Sequence, residues 1–357
     1  MRSLIRAAAI AAALSAGISI LPAAELGKSF DEIVAGAKKE GKLVVWSPLP
    51  GRPETHQAVI KAFNERFGLN TQLEWVPMAA PTANTRATAE AAGRRVSVDV
   101  IGGASIGEII TARDAGLIKP FDYAGTFGNQ FSSISQIDGL PGYKGLGLLY
   151  MVAHNGIAWN TKMAADDQVP NKASEFADPK YRGKFGVNAF FLVPLDILST
   201  CIGEEQALKI ADGIIANRPV QGRGSPAVNQ FITTGQVPFG MTISLVAEAA
   251  IRNREPLKFK MYSDYVISTE NYVYVPENSP NPNTARLFAA WHAAESYKII
   301  DPIESLPSIL DASNPYIKMA SENVSKGAKA CKIQNEADIA QMLRVREKIT
   351  LKLSGQQ

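Results

Sequence analysis

Three histidines, two cysteines and a few serine- and threonine-bearing turns are the residues of this 357-residue chain that could do chemistry. His56, His154 and His292 stand on widely separated segments, and no G-x-S-x-G, H-E-x-x-H or Cys/His cluster occurs. Nucleophilic catalysis needs a nucleophile beside a placed base. The sequence therefore predicts no catalytic residue, no metal site and no cofactor. Cys201 lies between LDILST and IGEE with no group nearby to lower its pKa. An oxidising compartment would permit a Cys201–Cys331 disulfide, and two buried free thiols are the alternative reading.

The remaining polar chemistry sits in turns that follow strand-like runs. In an open α/β sheet, ligands bind beyond the carboxyl ends of the strands, where helix N-termini present free N–H groups and a positive dipole. Four regions satisfy that rule. SPLPG (47–51) offers Ser47 and Leu49, and GGAS (102–105) offers Gly103 and Ser105. The 188–193 loop offers Phe190. GRGSPA (222–227) offers Arg223 and Ser225, together with Thr242 and Ser244 nearby in sequence. Ser225 is expected to cap a helix with Pro226 at its first position, and Arg223 to make a paired contact with a carboxylate or phosphate. Each region also has a plainer reading: a rigid turn, an ordinary cap, a core phenylalanine, a solvent-facing arginine.

The elements that would position these turns alternate strand and helix. KLVVWS (42–47) is a nearly continuous apolar run, as in a strand buried on both faces. A helix is expected over 54–67, a strand at TQLEWV (71–76), a helix over 85–93, a strand at VSVDVI (96–101) and a helix over 105–114. That series predicts a mostly parallel sheet flanked by helices. A Gly-, Ser-, Pro- and Asp-rich stretch over 125–145 leads to strand candidates at 146–153 and 157–160; a second alternating α/β set is expected over about 184–260, and one more strand at 272–275. A helix is expected over 283–296, and a helical tail follows.

Hydrophobic residues at 46% and charged residues at 20% describe an ordinary globular chain, and a net charge of +3 leaves no basic stripe for nucleic acid. The first 24 residues place Arg2 and Arg6 before an uncharged run from 7 to 21 and then Pro22, Ala23 and Ala24. This is the order of a secretory signal peptide, and the run is short for a bilayer span of ~20 residues. The remaining length exceeds what one core usually serves, so two lobes are expected.

Several segments in order carry a resemblance: AKKEGKLVVWS, TQLEWV, SVDVIGGAS, RDAGLIKPFD, GIAWNTK, ASEFADPKYRGKFGV, AVNQFITTGQVPFGM and NSPNPNTARLFAAWHAAES, spanning roughly 35–297. With them the chain resembles the periplasmic solute-binding proteins of ABC importers, in the branch that contains the ferric-binding proteins. The resemblance implies a type II two-lobed fold that closes on a small-molecule ligand and feeds an inner-membrane permease, acting in the periplasm as a monomer. The expected layout is a signal peptide at 1–24, one lobe from 28–125 plus 268–300, a second from 126–267, and a C-terminal helical segment at 301–357. Ferric-binding relatives use a His, a Glu and a Tyr pair; this chain has Pro50, Ala104, Leu245 and Val246 there. None offers an anionic oxygen. The expected ligand is a small organic anion, with a metal ion as the alternative and an exported enzyme on a similar fold as the reading from another class.

Overall fold

The computed structural model describes residues 25–355 apart from 94, 141, 190, 191 and 193. The expected signal peptide and Phe190 therefore lie outside the described residues. Near the amino end, α1 (Phe30–Glu40) precedes the expected alternating series β1 (Lys42–Trp46), α2 (Pro53–Phe67), β2 (Gln72–Val76), α3 (Ala80–Ala92), β3 (Val100–Ala104) and α4 (Ile106–Asp114), in which α3 starts five residues before the expected 85. Ser29 caps α1 by accepting the Glu32 amide, and Gly41 ends it at φ 62°. Val59, Ile60, Phe63 and Phe67 line the buried face of α2.

Two short helices, α5 (Tyr123–Phe127) and α6 (Ile134–Ile137), lead into β4 (Leu148–Asn160). Short 3-10 turns then precede β5 (Phe185–Asn188), α7 (Leu195–Ile202), α8 (Glu204–Ala216), β6 (Val220–Gly222), α9 (Ser225–Thr233), β7 (Phe239–Ile243), α10 (Ser244–Arg252) and β8 (Leu257–Met261). The chain returns through β9 (Tyr265–Tyr274) and α11 (Pro282–Ala294). It ends with α12 (Tyr297–Glu304), α13 (Pro315–Ser325), β10 (Lys329–Cys331) and α14 (Glu336–Leu353).

The strand order β2-β1-β3-β9-β4-β7-β5-β6 defines a two-lobed mixed sheet. The pairs β1·β2, β1·β3, β5·β7, β5·β6 and β9·β10 are parallel, whereas β4 runs antiparallel to β7, β8 and β9, and β9 antiparallel to β3. What read as two strand candidates at 146–153 and 157–160 is one strand, β4. Its 148–154 stretch pairs with β9 and its 155–160 stretch with β7 and β8. The run at 272–275 is likewise the end of the longer β9. Neither strand is broken because every residue of β4 is buried and has a partner strand to bond. β3 begins at Val100 and not at 96, because the Val44 amide bonds the Asp99 carboxylate and so leaves the main-chain ladder there. Phe127, Phe131, Ile134 and Ile137 are buried, and α6 packs on α11 and β4.

The helix α11 is buried all round, from Asn283 to Ala294, between α1 on one side and β1, β4 and β9 on the other. Its Phe288 and Trp291 meet Phe63 at ring-centre distances of 5.3 and 5.4 Å. The tail does not stand apart. β10 pairs with β9, and α14 packs on α7 and α8. Cys201 and Cys331 form a disulfide with a Cα–Cα distance of 6.0 Å, tying the end of α7 to β10. This bond closes a loop across 130 residues. Its loss is expected to lower stability by about 2–4 kcal/mol. Urea unfolding of the Cys201→Ala/Cys331→Ala protein against the oxidised chain measures this; a difference below about 0.5 kcal/mol would show that packing alone holds the tail.

Candidate functional site

The register of β4 brings the strand ends together. Ala104, the last residue of β3, is level with Tyr272 on β9, which pairs with Leu149 on β4. Ile243, the last residue of β7, pairs with Asn155. The carboxyl ends of β3 and β7 thus point toward one another along the middle of β4, six residues apart, or about 20 Å at strand rise.

On the first side, Ser47 follows β1 and is buried. Its hydroxyl donates to the Leu49 carbonyl at 2.6 Å and accepts the Leu49 amide at 3.3 Å, which fixes the 47–51 turn. Gly102 and Gly103 let this turn approach β3. A Cβ on Gly102 would come within 2.8 Å of Ser47 Oγ, and one on Gly103 (φ 77°) within 2.9 Å of Pro48. Tyr150 rises from β4 beside Ser47 and the Gly103 amide; burial pushes its hydroxyl up to about 12, and these two neighbours oppose the rise. Neither contact reaches good hydrogen-bond geometry, so the hydroxyl is buried without a partner. The N-terminus of α2 is already filled: the Glu304 carboxylate accepts the Gly51 and Arg52 amides at 2.7 and 2.8 Å.

Ser105 stands at the N-cap of α4, where the Glu108 carboxylate accepts both its amide (2.8 Å) and its hydroxyl. Across the crossing, Ser244 opens α10 and its hydroxyl accepts the His154 amide at 3.1 Å. Thr242 on β7 is buried, and its hydroxyl has no partner. His154 Nδ1, Asn155 Oδ1 and Asn229 Oδ1 are also buried without partners. Ser225 is not the cap of α9. Gly224, at φ 88°, takes that place, so Ser225 is the first helical residue and Pro226 the second. Arg223 is exposed.

A cavity of about 50 Å³ joins the two sides. Its wall brings Ser105 and Ile106 of α4 and Ser268, Thr269, Glu270 and Tyr272 of β9 against Ile197 of α7 and Ile333, Met342 and Arg346 of the tail. Of the residues expected from sequence, Ser105 lines this cavity. Ser47, Leu49, Gly103, Ser225, Thr242 and Ser244 lie at or next to strand and helix ends and are not in its wall, and Arg223 is exposed. Tyr272 donates to Glu270 at 2.6 Å, and burial together with that carboxylate pushes its hydroxyl well up. Arg346 Nε and Nη2 donate to Asp196 Oδ2 at 3.0 and 2.8 Å. Asp196 is 1% exposed; burial raises its pKa and Arg346 opposes the rise. Glu270 and Arg346 were not anticipated. Ser268, Glu270 and Tyr272 alternate on one face of β9, a polar signal that was legible in sequence. Arg346 falls among Ile339, Met342, Val345 and Ile349 of α14, where nothing in the spacing separates it from an ordinary surface arginine. Among the described residues, no group of three or more His, Cys, Asp or Glu side chains is arranged to hold a metal ion, and no helix is long and apolar enough to cross a membrane.

Two α/β lobes joined by two crossing strands, with strand ends converging on the crossing, are the architecture of proteins that close on a ligand. Residues 58–313 match the bacterial extracellular solute-binding protein family, and the chain belongs to that family. Its functional class is the solute-binding component of ABC transporters. No curated protein sequence matches it. Among solved structures it is similar to iron-bound HitA from Pseudomonas aeruginosa (TM-score 0.69, 16% identity, 86% of this chain and 99% of that one). It is also similar to AfuA from Actinobacillus pleuropneumoniae with fructose-6-phosphate bound (0.64, 14%, 88% and 98%). A third likeness is the substrate-binding protein of an ABC transporter from Agrobacterium tumefaciens (0.66, 13%, 88% and 97%). At these identities the likeness carries the fold.

Proposed function

We propose that this protein captures a small solute between its lobes in the periplasm, as a monomer and without chemistry of its own, and delivers it to an inner-membrane permease. The observation that carries this reading is the convergence of β3 and β7 on the middle of β4, beside a cavity walled from both sides and from the tail. The lobes divide where the pairing of β4 and β9 changes partners, between His154 and Asn155 and between Ile267 and Ser268. A binding role without catalysis is supported by how the histidines are engaged. His56 stacks on Trp75 and bonds the Pro50 carbonyl, and His154 and His292 are buried. For the organic anion expected from sequence, Arg223 is exposed and Arg346 in the cavity wall is engaged by Asp196.

The test is the solute itself. Mass spectrometry of what the denatured, periplasmically expressed protein releases identifies it. Small-angle scattering of the stripped protein, before and after that solute is restored, should show a smaller radius of gyration on binding. An unchanged radius with saturating solute would defeat capture by lobe closure.

A further inference from the structure

In addition to the two crossing strands, a polar contact joins the lobes. α10 packs on β4, β7, β8 and α9 of the second lobe, whereas α12 packs on α2 and α11 of the first. Arg252, the last residue of α10, spans the two. Its Nη1 donates to the carbonyls of Asp301 and Pro302 in α12, at 2.8 and 3.1 Å. Both carbonyls lie in the final turn of α12, where a helix runs out of amides to bond them and its dipole favours a cation. The guanidinium is aimed from its own side. Its Nε donates to Glu248 Oε1 at 2.8 Å, and the Tyr316 hydroxyl of α13 donates to Glu248 Oε2 at 2.6 Å. The α12 turn is fixed from the other side, because the Glu304 carboxylate accepts the Gly51 and Arg52 amides at the start of α2.

The chain itself leaves the first lobe here. After α12, Ser305 turns at φ 57°, and the Pro307 carbonyl accepts the Val152 amide of β4 at 2.9 Å. Asn314 then caps α13, and its Nδ2 donates to the two Asp301 carboxylate oxygens at 3.2 and 3.1 Å. α13 packs on β8 and β9, with Tyr316 against Phe259 of β8. Residues 305–314 are thus a third crossing, and Arg252 grips the helix end from which it departs. A change in the angle between the lobes must move α10 relative to α12. Close-packed cores yield little, whereas an arginine side chain 34% exposed and bonded to backbone carbonyls can lengthen or slip. We infer that Arg252 is the joint that holds the interlobe angle, a positioning residue for closure that acts through α12 without touching the solute. This uses the two-lobe division given above and is independent of what the solute is.

Double electron–electron resonance on the disulfide-bonded protein tests this with no solute present. Spin labels at Lys61→Cys on α2 and Lys209→Cys on α8, both exposed positions, give the distribution of interlobe distances. Arg252→Ala should broaden that distribution about 1.5-fold or more while the melting curve stays cooperative. Arg252→Lys should fall between, since an ammonium keeps the charge at the helix end but loses the fork that also holds Glu248. Should the alanine protein fail to fold, as judged by its melting curve, Arg252→Lys and Glu248→Ala give the same comparison, the latter by freeing the guanidinium from its own side. Unchanged widths in these variants would overturn the joint. Scattering with the released solute tests capture separately. Broadening without compaction leaves the joint and defeats capture; compaction without broadening does the reverse.

Discussion

Replacing Asp99 with alanine is expected to destabilise the protein by about 3–5 kcal/mol, with no effect on solute affinity in the fraction that remains folded. Asp99 is fully buried before β3, at the end of the strand away from the crossing. One oxygen accepts the Val44 amide at 2.8 Å and the Asn281 Nδ2 at 3.0 Å; the other accepts the Ser279 hydroxyl at 2.8 Å and the Asn281 amide at 2.9 Å. One side chain therefore joins β1, the approach to β3 and the turn into α11. Burial raises its pKa, and these four donors oppose the rise. Alanine would leave the Val44 and Ser279 donors buried without acceptors, at about 1–3 kcal/mol each before relaxation, and strip the two half-buried Asn281 donors of theirs. Asparagine is no remedy, because either amide orientation aims an NH₂ at donors; a smaller loss is expected. Urea unfolding gives both numbers, and a loss below about 1 kcal/mol for the alanine protein would refute the account.

Mild acid is expected to weaken the fold strongly, through two histidines. Burial pulls His292 down to about 3 and His154 down to about 4, against an ordinary value near 6.5. His292 lies within α11, with Nδ1 2.8 Å from the Ser296 hydroxyl; His154 lies at the crossing in β4. A histidine depressed in the folded state takes up its proton first in the unfolded chain. Stability is therefore fully present above about pH 6.5 and falls as the pH drops toward the folded values. At one pKa unit per 1.36 kcal/mol, each histidine removes about 2 kcal/mol by pH 5, about 4 together. Buried carboxylates with raised pKa values, such as Asp99 and Asp196, act in the opposite sense. The variants isolate the effect: His292→Gln and His154→Gln should each flatten the loss between pH 7.5 and 5.0 by its share. Equal pH dependence in the wild-type and variant proteins would exclude these residues as its source.

How much of this was legible beforehand depends on whether a feature is local. The β1-α2-β2-α3-β3-α4 series is written in apolar spacing, and Ser105 declared itself an N-cap by preceding an apolar run. Equally plain in the sequence is that Pro50, Ala104, Leu245 and Val246, at the positions where the resemblance puts iron ligands, carry no ligating oxygen in their side chains. An ordered set of family-like segments added the two-lobed fold that no single segment defines. Ser225 was misplaced by one position because a cap is chosen by backbone angle, and Gly224 reaches φ 88° more cheaply than serine can.

What only the tertiary structure decided are contacts between segments far apart in the chain. The unbroken β4 follows from having partner strands along its whole length, which its own residues do not reveal. The pairing of Cys201 with Cys331 needed Cα atoms 6.0 Å apart, a distance set by β10 lying along β9. Arg346 looked like any arginine on a charged helix; packing α14 against α7 set it against Asp196, 150 residues earlier, and turned it into the cavity wall. Arg223, by contrast, had the better local signal and faces solvent. Periodicity and turn chemistry act over a few residues, so sequence reveals them. A binding site is assembled by burial across the whole chain, and its charges acquire meaning only from the neighbours that folding supplies.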